Sequence, residues 1–99
     1  MLIINGVITI DPSRRADLVA AAIAMQQASQ KEDGCHHYVF AADLEREDVF
    51  HLAEKWTDQA ALDTHFAQPQ MATFQAAIKG AVRGTQATKY EIASEGPVR

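Results

Sequence analysis

The chain has one cysteine, Cys35, so it can close no disulfide of its own, as expected of a reducing compartment. It is short of basic residues: nine Lys and Arg stand against thirteen Asp and Glu, a formal net charge of −4. Arg14-Arg15 is the only adjacent basic pair, and no electrostatic footprint for nucleic acid results. No apolar run approaches the roughly 20 residues that cross a bilayer, and Leu2-Ile3-Ile4 is too short for a signal-peptide core. Cytoplasm is therefore the expected location, away from any membrane. The four histidines and one cysteine show no paired ligand spacing, and there is no Gly-rich phosphate loop. Neither a metal nor a nucleotide cofactor is expected. Large side chains are also scarce. The hydrophobic fraction is 47%, but eighteen of those residues are alanine, which adds helix propensity and little core volume.

What is present fits one domain. Ninety-nine residues leave no room for a second core, and a chain this short buries only about two-thirds of its unfolded surface. Leu2 to Ile10 reads as a strand, with Asn5 and Thr9 on the face opposite Ile4, Ile8 and Ile10. Asp11-Pro12 caps and starts a helix running from Ser13 to about Lys31. Its apolar stripe is Leu18, Ala22, Met25 and Ser29, widened by Val19 and Ile23. Glu32-Asp33-Gly34 ends it, Gly34 being suited to a left-handed cap.

Cys35 to Ala42 and Val49 to Trp56 are the next strands, joined by a charged turn from Asp43 to Asp48. If that turn centres on Arg46, Phe40 faces Leu52, Tyr38 faces Glu54 and His36 faces Trp56, all six on one side of the sheet. Asp58 caps a second helix carrying Leu62, His65 and Phe66. Pro69 must break or restart it, since proline lacks an amide donor and clashes with the preceding turn. Met71, Phe74 and Ile78 continue at helical spacing. Gly80 and Gly84 bracket a loop, and Thr85 to Ile92 is the last strand. The domain is thus expected over residues 1–93, with a frayed tail over 94–99. The order β-α-β-β-α-β predicts an α+β, ferredoxin-like fold, with a four-stranded antiparallel sheet and two helices on one face. The other face must meet water or a partner, and a first strand apolar at both parities favours a partner.

Two stretches resemble antibiotic-biosynthesis-monooxygenase domains: Glu32-x-Gly34-Cys35-x-x-Tyr38 after the first helix, and Glu54-x-Trp56-x-Asp58 followed by Ala61-Leu62 and His65. The resemblance covers roughly residues 2 to 92. It implies a homodimer whose sheets pack face to face as an α+β barrel. It also implies a small-molecule activity from a range that includes oxygenases of quinols, anthrones and polyketide phenols using neither metal nor flavin. Haem-degrading members of that family resemble one another in an Asn on the first strand, a Trp in the second helix and an axial His about ten residues later. Here Asn5 fits, but His65 and Gln75 occupy the other two positions, so haem is not expected.

Under that resemblance His65 is the first candidate base, a neutral imidazole able to accept a phenolic proton; the alternative is a core histidine bonded to the backbone. If it faces a cavity, its removal should cost less than about 2 kcal/mol. Trp56 is either a flat wall for an aromatic substrate or the largest packing piece of an alanine-rich core. Asn5 interrupts an apolar strand and either orients a substrate oxygen or O₂, or satisfies a backbone group. Tyr38 and Glu54 form a structural cross-strand pair or, in a dry cleft beside Tyr38 and Trp56, Glu54 has a raised pKa and is a second candidate base. Phe66 is a candidate aromatic wall, and Arg83 a candidate anion contact or a solvated loop residue. Cys35 reads as a small buried hydrophobe. The expected activity is cofactor-independent oxidation of an electron-rich phenol, quinol or anthrone by O₂. Two other readings stand beside it: a non-oxidative isomerase or detoxifying enzyme of a small reactive metabolite, and a non-catalytic binding or stress-related dimer.

Overall fold

A computed structural model describes all residues, 1–99. The strands are β1 (Leu2–Ile10), β2 (Cys35–Ala42), β3 (Val49–Trp56) and β4 (Val82–Glu91), and the helices are α1 (Arg15–Ser29), α2 (Gln59–Phe66) and α3 (Pro69–Ala77). The sheet is antiparallel in the order β2-β3-β1-β4, the ferredoxin-like arrangement. The split of the expected second helix into α2 and α3 falls at Pro69, which opens α3 where its missing N–H costs nothing. α1 also begins later than its pattern suggests, after a 3-10 turn at Pro12–Arg14. Asp11 caps that turn by accepting from the Ser13 amide at 3.0 Å and the Ser13 hydroxyl at 2.8 Å.

Along β1, Leu2, Ile4, Ile8 and Ile10 are buried under the helices, and α1 returns Leu18, Ala22, Met25 and Ser29 against them. Ile23, expected to widen that stripe, instead faces solvent at 50% exposure. Two clusters make the core. Leu2, Ile4, Met25, Tyr38, Trp56 and Leu62 fill one end, and Ile8, Ile10, Leu18 and Phe50 fill the other. Each large side chain fully buried there contributes roughly 1.5–3 kcal/mol, so the loss of one is felt by so small a domain.

The β2–β3 register pairs Phe40 with Leu52 and Tyr38 with Glu54, as the turn position predicts. It then slips: Cys35, not His36, pairs with Trp56. An extra residue at the start of β2 pushes His36 out of the ladder and into the open, where its Nε2 lies 2.7 Å from Thr57 Oγ1. Cys35 takes the inward place and packs on the first core cluster. β4 starts at Val82, inside the expected loop, because β1 runs on to Ile10 and pairs with it; Gly84 then lies opposite Thr9 within the strand. The helices leave β4 almost wholly exposed. Beyond Glu91 no helix or strand forms, though the Glu95 carboxylate accepts from the Lys55 ammonium. No helix is long and apolar enough to cross a membrane.

Candidate functional site

The Leu2 end of the core gathers polar groups from five segments. α2 delivers His65. Its first turn is fixed by Asp58, whose side chain accepts from the Ala61 amide at 2.9 Å, and helical spacing sends Leu62 and His65 inward together. His65 is only 1% exposed. Its ring lies 4.7 Å from Trp56 and 5.4 Å from Tyr38 between centroids. Trp56 is fully buried and donates from Nε1 to Glu54 Oε1 at 2.8 Å. From the segment between α1 and β2, Glu32 reaches in. His65 Nδ1 lies 2.7 Å from Glu32 Oε2, and the same oxygen accepts from Gln70 Nε2 of α3 at 3.1 Å. Glu32 Oε1 is buried with no hydrogen-bond partner.

Gly34 makes this convergence possible. Its φ is +83°, and a Cβ there would sit 2.6 Å from Ala61 Cβ, so only glycine lets the loop run this close to α2. Its carbonyl accepts from the Thr57 amide at 2.8 Å, tying the loop to the end of β3.

Burial shapes the chemistry of the acids. Glu54 is pushed above the usual carboxylate range by desolvation, opposed by the Trp56 hydrogen bond and the His65 charge. Tyr38 is pushed well above the usual phenol range, first by burial and then by the nearby Glu54. Burial thus favours the neutral forms of Glu54 and Tyr38 beside an imidazole hydrogen-bonded to Glu32.

The other candidates lie elsewhere. Asn5 is not a buried amide: it is exposed on the helix-free face, across the sheet from His65. β-strand alternation puts it there, since Ile4 and Ile8 take the helix side. Asn5 lines a trough of about 410 Å³ with Val7, Val39, His37, His51 and Thr88. Phe66 is 57% exposed and turned outward, one residue past the buried stripe. Arg83 is exposed beside Asp11, 3.7 Å away, at the Ile10 end of β1. That is roughly 20 Å along the strand from the Ile4–Glu54 pair. So His65, Trp56, Tyr38 and Glu54 come together, and Asn5, Phe66 and Arg83 do not join them.

Glu32 and Gln70 are the members not read as site residues from the sequence, although Glu32 opens one of the stretches that carry the resemblance. The one available signal was an acid two residues before a glycine forced into a left-handed turn against a helix.

His65 is packed rather than set beside open space. None of the five principal cavities is lined by His65 or Trp56. The adjacent one, about 100 Å³, lies between α1 and α3 and includes Met25, Gln70 and Phe74. No group of three or more His, Cys, Asp and Glu residues is arranged to hold a metal ion.

Comparison with known proteins places this geometry. The family model described as antibiotic biosynthesis monooxygenase matches residues 1–77. An uncharacterised protein of Synechocystis is 30% identical over 73 residues, covering 74% of this chain and 50% of the relative, so the chain spans about half that relative's length. YcnE of Bacillus subtilis, provisionally named a monooxygenase, is 29% identical over 65 residues, covering 66% of this chain and 68% of YcnE. A crystal structure from Deinococcus radiodurans, provisionally assigned as an antibiotic biosynthesis monooxygenase, superposes with a TM-score of 0.91 at 28% identity. That match covers 100% of this chain and 99% of the other.

Proposed function

Because this chain belongs to the antibiotic biosynthesis monooxygenase family, we propose that it is a monooxygenase oxidising an electron-rich phenol, quinol or anthrone with O₂, with no metal, flavin or haem. The observation that carries the reading is His65, held by Glu32 and flanked by Trp56 and Tyr38 in a site sealed from water. In this reading His65 takes the acidic proton of the substrate. For an anthrone, the resulting carbanion gives one electron to O₂, and the two radicals combine to a peroxide at that carbon. Loss of water then leaves a carbonyl: one oxygen atom stays in the product, the other leaves as water, and the CH₂ carbon is oxidised. The protein contributes the base, the exclusion of water and flat aromatic walls.

Entry of a fused-ring substrate requires opening. Pockets for such ligands run to roughly 300 Å³ or more, whereas the space beside the cluster is about 100 Å³. α3 is the element to move: it contains no fully buried residue, faces α1 through small side chains such as Ala77, and is flanked by Pro69 and by Gly80 at φ +81°. A second copy of the chain covers the helix-free face in this reading, burying the trough and the exposed Val7. Asn5 then belongs to the dimer interface.

The small adjoining cavity favours one alternative, a non-oxidative isomerase or detoxifying enzyme of a smaller metabolite. Turnover under ¹⁸O₂ separates the two. A product quinone carrying one labelled oxygen supports the monooxygenase. Substrate consumption with no label and no O₂ uptake supports the isomerase and contradicts the proposal.

A further inference from the structure

We propose that Glu32 is the positioning residue of this site: by accepting the Nδ1 proton of His65 at Oε2, it fixes the imidazole tautomer and leaves Nε2 as the proton acceptor. The inference deepens the reading of His65 as the base and rests on it. A neutral imidazole carries one proton, and in water the tautomer bearing it on Nε2 is generally favoured, which would leave the wrong nitrogen facing a substrate. An ionised carboxylate can only accept. With Oε2 at 2.7 Å, Nδ1 must be the donor, and Nε2, which makes no hydrogen bond within the chain, keeps its lone pair.

The carboxylate is itself held. Gln70 donates to the same Oε2 at 3.1 Å, so Oε2 receives from both α2 and α3. The side chains of Glu32 and His65 are 11% and 1% exposed, so little solvent competes. Oε1 has no hydrogen-bond partner within the chain, so His65 and Gln70, both on Oε2, are the groups that hold this carboxylate. The other ionisable groups around the ring are Tyr38 from β2 and Glu54 from β3, and Cys35 of β2 packs on the neighbouring core cluster. Met25 of α1 and Gln70 of α3 bring no charge. Once His65 has taken a proton, the Glu32 charge balances the imidazolium where it forms, the role a buried carboxylate plays behind a catalytic histidine.

The test reads the ring itself by ¹⁵N NMR of the substrate-free full chain, at a pH where His65 is neutral. In the unmutated protein the ring proton should sit on Nδ1. Glu32→Gln keeps an oxygen that accepts from both His65 and Gln70 but removes the charge. It should retain the tautomer and the KM, while kcat on an anthrone falls roughly 10- to 10²-fold, the range for a hydrogen bond to a charged group. Glu32→Ala should move the ring proton to Nε2; if that variant does not fold, the unmutated protein and Glu32→Gln decide alone. A proton on Nε2 in the unmutated protein, an unmoved proton in folded Glu32→Ala, or an unchanged kcat in Glu32→Gln would each overturn the proposal. A purely structural clasp would lower Tm in Glu32→Gln while leaving kcat per folded molecule unchanged. The ring measurement needs no turnover, so it stands apart from the base assignment, which fails separately if His65→Asn keeps its rate.

Discussion

Replacing Gly34 by alanine should unfold the site more than any other single-methyl change in the loop. Two costs add. At φ +83° an L-residue pays for its Cβ against its own carbonyl, about 1–2 kcal/mol. The new methyl would also stand 2.6 Å from Ala61 Cβ, where carbon atoms rest comfortably at about 3.5–4.0 Å. Relief needs a shift of roughly 1 Å between loop and α2, and overpacking of this kind costs about 1–3 kcal/mol. The sum is about 2–5 kcal/mol. In a domain of this size each kcal/mol lowers Tm by roughly 4–8 °C, so thermal unfolding followed by circular dichroism should show a drop of at least about 8 °C. A double-mutant cycle with Ala61→Gly isolates the clash. Ala61→Gly alone loses about 1 kcal/mol of helix propensity, but in the Gly34→Ala background it removes the contact. The double variant should therefore be more stable than the two single effects predict by about 1–3 kcal/mol. Loss of less than about 1 kcal/mol in Gly34→Ala, or additivity in the cycle, would refute the account of how the loop delivers Glu32 to His65.

Other outcomes follow from the same geometry. His65→Ala removes a packed ring and strands Glu32 without its partner, so stability should fall by about 3–5 kcal/mol in chemical denaturation. That exceeds what a cavity-facing histidine would lose, and a loss under about 1 kcal/mol would show the ring is not packed as described. Glu54→Gln should change the pH dependence of stability. The folded pKa of Glu54 is raised, so its contribution is complete below the ordinary carboxylate range and is lost as pH rises through the folded value. The variant should therefore gain on the unmutated protein above that range and not below it, as urea midpoints across pH would reveal. Amides of α3 should exchange with deuterium faster than those of the middle of α1, because α3 buries no residue fully while α1 buries Leu18, Ala22, Met25 and Ser29. Equal protection would argue against α3 as the moving element. Light scattering at micromolar concentration should give twice the monomer mass, and a charge at Val7 on the helix-free face (Val7→Glu) should halve it; a monomeric unmutated protein would contradict the covered face.

Most of the fold was legible because it rests on local rules. Ile and Val mark β1 as a strand, Asp11 and Asp58 mark helix starts, and Pro69 marks a break. The turn near Arg46 sets the Tyr38–Glu54 and Phe40–Leu52 pairs. The slip that brings Cys35 and not His36 opposite Trp56 was not legible, since an extra strand residue leaves no trace in an alternation already interrupted by two histidines. For the site, helical spacing was enough to send His65 inward beside the aromatic residues of β2 and β3. Whether it met a cavity or a carboxylate depended on a close approach of loop and helix, which no periodicity encodes. Asn5 shows the converse: alternation placed it on the face opposite Ile4 and Ile8, the face that the β-α-β-β-α-β order leaves without helices, and in the single chain that amide is exposed rather than buried.

Oxygen uptake with and without the His65 imidazole decides whether this chain is a monooxygenase. An anthrone is added to the full chain treated with chelator, and O₂ consumption per folded molecule is compared between the unmutated protein and His65→Asn, with folding checked by circular dichroism. The account predicts one O₂ consumed per anthrone oxidised, and a rate at least roughly 10²-fold lower in the variant. Uptake by the folded variant at the unmutated rate, or none above buffer by the unmutated protein, would contradict it.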